Sequence, residues 1–238
     1  MSPDPTAGRG TVPLGADAKV DLLLPPDFYD LLHPADPVQA RTELDVLFRR
    51  MLPTASAEQI AAAVDGMMRW RELLTSAHVL VHGFVGVPAG EHTPVPVHWH
   101  VLVAALEVPT PDELDVGTLF ARVLGQRWDE TRTYVEPFES RMGWGVGVLG
   151  SFTPQLPEGI GPLVAGLGGH AVAGGPAHAE VGEVGVAATI TGAHGSSVAL
   201  GVLGICIDPD QVLELGGLVT AIGAGSVLDT GLAAEPSP

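Results

Sequence analysis

His78–Glu107 reads HVLVHGFVGVPAGEHTPVPVHWHVLVAALE, and both halves of it repeat every second residue. From His78 to Val87, the side chains of Val79, Val81, Val85 and Val87 share one face; from Val95 to Glu107, Val95, Val97, Trp99, Val101 and Val103 do the same. A period of two is the mark of a strand with one buried side. Pro88-Ala89-Gly90-Glu91 between them is turn chemistry, so the two strands are expected to pair as a hairpin. Aligning the valine faces sets Val87 opposite Val95. The same register puts His82 opposite His100 and Phe84 opposite His98, on the other face.

Helices flank this hairpin, and their starts are written plainly. Asp36-Pro37-Val38-Gln39, Thr110-Pro111-Asp112-Glu113 and Asp208-Pro209-Asp210-Gln211 each place a capping oxygen first, proline second and Glu or Gln fourth. Ser56-Ala57-Glu58-Gln59 is the same box without proline. The cap accepts from an N–H with no intrahelical partner, and proline at the first helical position forfeits a bond that is unmade anyway. Apolar stripes follow each cap: Leu44, Leu47, Phe48 and Met51; Ile60, Val64, Met67 and Leu74; Leu119, Phe120, Val123 and Leu124; Val212, Leu215, Val219 and Ile222. Gly216-Gly217 weakens the last of these.

Further strands are expected at Lys19–Pro25, Tyr134–Phe138, Met142–Phe152, Val181–Thr191 and Val198–Ile207, which makes about seven with the hairpin. The fold class is therefore α+β, a mostly antiparallel sheet of about seven strands covered by about four helices. The domain is expected over 18–228, between Pro/Gly/Ala/Ser-rich tails at 1–17 and 229–238. Thr153–Glu180 is too long and too rich in Gly and Pro for an ordinary connection, yet it carries Ile160, Leu163, Val164 and Leu167. It is either a disordered excursion or a lid or partner-binding loop.

The order of elements over 18–228, ending in a hairpin (Val184 to Ile207) and a closing helix at Asp208-Pro209, resembles the PsbP/Mog1-like α/β sandwich proteins. It is also similar to a set of actinobacterial conserved proteins of unknown function. That resemblance implies an adaptor or accessory factor with no shared catalytic residues, so no residue role comes with it.

Composition narrows the partners. The 238 residues are 46% apolar, enough for one large domain or two small ones, and the net charge of −17 opposes binding to nucleic acid or anionic lipid. Cys206 is the single cysteine, which excludes an internal disulfide and a cysteine-rich zinc site, and it reads as an inert buried thiol. Met1–Val20 shows no basic segment followed by an apolar one, pointing to a cytoplasmic protein. The charge-free run Val184–Ile207 is split by Thr191-Gly192-Ala193-His194-Gly195-Ser196-Ser197, so it reads as two strands rather than a membrane span. One lysine, Lys19, against ten arginines suggests a GC-rich, actinobacterial genome.

Five of the nine histidines fall between residues 78 and 100. In the expected register His82, His98 and His100 share one face, a workable three-histidine zinc cage with a fourth position for water. Alpha-type carbonic anhydrases are similar in this one local arrangement. The alternative is that histidines alternate with valine because one face of the sheet is wetter, leaving them as rim or packing residues. Other chemistry is missing: the chain has no G-x-S-x-G, Walker A or H-E-x-x-H pattern. Met142-Gly143-Trp144-Gly145-Val146-Gly147-Val148 reads as a strand that receives close packing rather than a phosphate loop. Glu136 and Glu139, three apart on a strand, face opposite ways and cannot act as an acid/base pair.

The expected function is a non-enzymatic cytoplasmic adaptor or protein-interaction module, holding a protein partner or a second copy through sheet edges or the 153–180 loop, with Ile160, Leu163, Val164 and Leu167 as contacts. It needs no cofactor. The rival is a zinc-dependent hydrolase or lyase on His82, His98 and His100. A third reading is a small apolar ligand held between the sheet and its helices.

Overall fold

The structure, a computed structural model, describes residues 11–15, 17–51, 53, 55–87, 97–108, 134–152 and 183–230, with the side chains at 51, 87, 97, 98 and 152 outside that description. In chain order the elements are β1 (Lys19–Asp21), β2 (Phe28–Asp30), α1 (Pro37–Met51), α2 (Ala57–Ser76), β3 (Val79–Val87) and β4 (Val97–Glu107). Then come β5 (Tyr134–Ser140), β6 (Gly143–Phe152), β7 (Val184–Gly192), β8 (Val198–Cys206), a 3₁₀ turn (Pro209–Gln211), α3 (Val212–Gly225) and β9 (Val227–Asp229).

Among the described residues seven strands form one sheet in the order β2-β3-β4-β8-β7-β6-β5, and β1 and β9 form a separate pair. All the pairings are antiparallel. The class is α+β, as the alternation of apolar residues implies. The strands β5 to β8 run as a meander whose last member returns beside β4, so β4, β8 and β7 lie at the centre. There the side chains of β7 are buried along its whole length. Two short strands, β2 and β9, carry too few alternating residues to be legible in the sequence. The first strand is shorter than expected and pairs with β9 rather than joining the large sheet. Two contacts fall within the stretches expected as tails: Thr11 bridges Leu106, with Val12 N–H donating to the Ala105 carbonyl at 2.9 Å, and Asp229 pairs with Lys19.

The helix starts form as their sequences dictate. Asp36 Oδ1 accepts from Gln39 N–H at 2.7 Å, and Ser56 and Gln59 exchange bonds of 3.2 and 2.8 Å. At the third start the outcome differs. Asp208 Oδ1 accepts from Asp210 N–H at 3.0 Å, two residues on, and this tightens the first turn to 3₁₀ before α3 begins. Among the described residues there are three α-helices; the helix expected after Thr110-Pro111 lies outside them.

Each helix covers one face of the sheet. Leu215, Val219 and Ile222 of α3 are buried with Val101, Val103, Ala187 and Val202. That helix lies close because Gly204 gives it room: a Cβ there would collide with Val219 and Leu215. Packing of this kind also accounts for Gly216 within α3, where a Cβ would collide with Leu149. On the opposite face, at the β2–β3 end, Leu44 and Phe48 of α1 and Ile60 and Val64 of α2 enclose Leu31, with Tyr29 and Phe84 packed against them. Arg71 of α2, 8% exposed, fastens this end by donating to the Leu31 carbonyl and, at 2.7 Å, to the Pro34 carbonyl.

The β3–β4 hairpin forms, with its faces oriented as expected from Val81 onward and its register moved. Val87 pairs with Val97, not Val95; Phe84 stands opposite His100, His82 opposite Leu102 and His98 opposite Gly86. A slip of two residues keeps each side chain on its own face, so burial of the valines fits both registers equally well. A bulge between Val79 and Val81 adds a further irregularity at the far end.

Candidate functional site

The two ends of the sheet offer two different candidates. At the β3 end, His82 and His100 are diagonal neighbours on the face covered by α1 and α2. Their rings stack, with centroids 5.9 Å apart and planes 20° from parallel, and the edge of Trp70 of α2 approaches His82. His82 is 1% exposed and its Nδ1 has no hydrogen-bond partner among the described residues. Burial, and secondarily the neighbouring His100, push this imidazole down to about 3, so it is neutral at physiological pH. His98 lies on β4 two residues from His100, and its side chain is outside the described residues. The structure thus brings two of the three predicted ligands together. Among the described residues no group of three His, Cys, Asp or Glu side chains is placed to hold a metal.

At the other end, β5 is the last strand of the sheet, and α3 crosses above it on the face opposite the histidines. Between them lies a cleft of about 370 Å³. Its strand wall is Tyr134, Glu136 and Phe138, three alternate residues of β5; its helix wall is Leu213, Gly217 and Thr220. Phe138 lies over Gly145 of β6, where a Cβ would collide with its ring. The G-x-G-x-G segment is therefore a strand receiving an aromatic ring, as its alternation implies. Glu136 Oε2 accepts from the Tyr134 hydroxyl at 3.3 Å, and alternation sends Glu139 to the other face, away from it. Tyr134 and Leu213 are 59% and 71% exposed, although both are large and apolar.

The cleft lies between the sheet and a helix, at a place the sequence reading did not locate. Two signals in the sequence point there. Proline in an alternating strand, Pro137, is confined to an edge, and adjacent glycines in an amphipathic helix mark backbone that something approaches. The proposed contacts Ile160, Leu163, Val164 and Leu167 lie outside the described residues. Cys206 is fully buried beneath Gly185, and burial pushes its thiol up to about 11, in line with an inert residue. No helix among the described residues is long and apolar enough to cross a membrane.

No family model matches the chain, and no curated protein matches it. A solved structure that resembles it is LpqN, a protein involved in cell envelope biogenesis of Mycobacterium tuberculosis, with 10% identity over 91% of this chain and 86% of that one and a TM-score of 0.37. A likeness of that size carries no argument about what this chain does.

Proposed function

We propose that the chain is a non-enzymatic, cytoplasmic protein-interaction module that takes its partner in the cleft between α3 and β5. The supporting observation is the placement of Tyr134 and Leu213, large apolar side chains held open to solvent on its two walls. An aromatic anchor beside a preformed depression is the usual core of a protein interface. Pro137 argues for entry by side chains rather than by strand addition, because it removes an N–H from the outer edge of β5 that an added strand would need. A photo-crosslinking residue at position 213 tests the reading in cells of the source organism. The expected result is a dominant polypeptide adduct, lost when Gly217→Trp fills the cleft and absent when the photo-residue is moved to exposed position 73 on α2. An adduct pattern indifferent to Gly217→Trp would count against it.

The zinc hydrolase or lyase has one observation in its favour, the buried and unpartnered Nδ1 of His82 facing a second imidazole. A neutral imidazole is the form that binds metal. That reading requires near-stoichiometric zinc in protein purified without a tag, lost in the double variant His82→Leu/His100→Leu; metal-free protein whose melting temperature ignores chelators would eliminate it.

A further inference from the structure

The two adjacent glycines of α3 have different reasons to be there. A Cβ at 216 would collide with Leu149, so glycine is what lets the helix sit on β6. At 217 nothing among the described residues lies within 4 Å of where a Cβ would stand, and the residue is exposed. Glycine in a helix interior costs about 1 kcal/mol relative to alanine, and no neighbour in the fold requires it here. What residue 217 borders is the cleft. Its missing side chain keeps the helix wall low and lets another molecule approach the backbone.

The formal charge on the described lining of that opening is negative. Among the described residues lining the cleft, Glu136 is the one that bears a formal charge, and it is held beside Tyr134 by their hydrogen bond. The helix α3 adds Glu214 beside Leu213, and neither β5 nor α3 contains a lysine, arginine or histidine; Arg141, directly after β5, donates to the Gly225 carbonyl and pairs with Asp21. The whole chain carries −17.

From these observations we propose that the cleft binds a polypeptide segment in which a large apolar side chain stands next to arginine or lysine. This deepens the interaction reading and rests on it. The apolar side chain fills the space above Gly217 between Tyr134 and Leu213; the cationic neighbour meets Glu136 at the rim. An acidic segment is rejected by the carboxylate and by the field of the molecule, which raises the encounter rate for cations and lowers it for anions.

The test uses the full chain and two fluorescein-labelled peptides that share a Trp-Leu anchor, one followed by two arginines and the other by two glutamates. Fluorescence anisotropy is expected to show the arginine peptide binding at least about tenfold tighter, a preference that shrinks as salt screens the rim. Glu136→Gln is expected to weaken the arginine peptide about fivefold and leave the glutamate peptide unchanged or slightly improved. Gly217→Trp abolishes binding, and Gly217→Ala, which also removes the glycine but stays small, retains it; melting temperatures of both confirm folding. Equal affinity for the two peptides, a preference for glutamate, or no binding of either overturns the proposal. If in that case crosslinking from position 213 still depends on Gly217, the interaction module survives and only the partner's chemistry is wrong. If crosslinking also ignores Gly217→Trp, both fail.

Discussion

The two ends of the large sheet use opposite means to deal with polar and apolar groups. The β3 end buries histidine: His82 lies beneath α1 and α2 with one ring nitrogen unpartnered among the described residues. The β5 end exposes tyrosine and leucine beside an open cleft. Residue types associated with chemistry are thus sealed away, and residue types associated with cores are presented to solvent. Of the two departures from ordinary burial, the exposed apolar pair is the one a partner can reach without the fold opening.

The largest effect expected from this contrast is on acid stability. His82 titrates at about 3 in the fold against 6.5 in the unfolded chain, so its burial is uncharged and without penalty above about pH 6.5. As the pH falls from there towards 3, the unfolded chain takes up a proton that the folded chain refuses, and stability is lost. Between about pH 7 and about pH 4 the wild type is expected to lose on the order of 3 kcal/mol more than His82→Leu, read from urea midpoints at each pH. Equal losses would mean that the β3 end is not sealed.

Next in size is Arg71→Ala. It removes two charge-assisted bonds to carbonyls near β2 and leaves both acceptors buried, so a loss of about 3 kcal/mol is expected in denaturant unfolding. The smallest effects separate the two glycines of α3. Gly217→Ala is expected to gain about 0.5–1 kcal/mol, whereas Gly216→Ala gains nothing because Leu149 must move. Thermal melts of the pair check this; the same gain at both positions would remove the reason for treating Gly217 as part of a site.

How far the sequence carries can be read from the hairpin. Valine alternation specified that β3 and β4 pair and which way they face, because a one-residue slip exposes every valine. It left the choice between Val95 and Val97 open, since a shift of two exposes none, and the placement of His82 against His100 hung on that choice. Helix starts were legible because capping is local: Asp36 and Ser56 act within their own first turn. The cleft was not, because Tyr134 and Leu213 are 79 positions apart in the chain and meet only through the packing of α3 on β5 to β7. Pro137 and Gly217 were its traces, each readable as an oddity but not as halves of one feature.

A partner is expected to meet this protein at β5 and α3 rather than at the histidines. Chemical-shift mapping of the ¹⁵N-labelled chain, titrated with the arginine peptide, tests it most directly. The expected result is displaced amides over 134–138 and 213–220, with those of β3 and β4 unmoved. Shifts centred on His82 and His100, or none anywhere at saturating peptide, would contradict it.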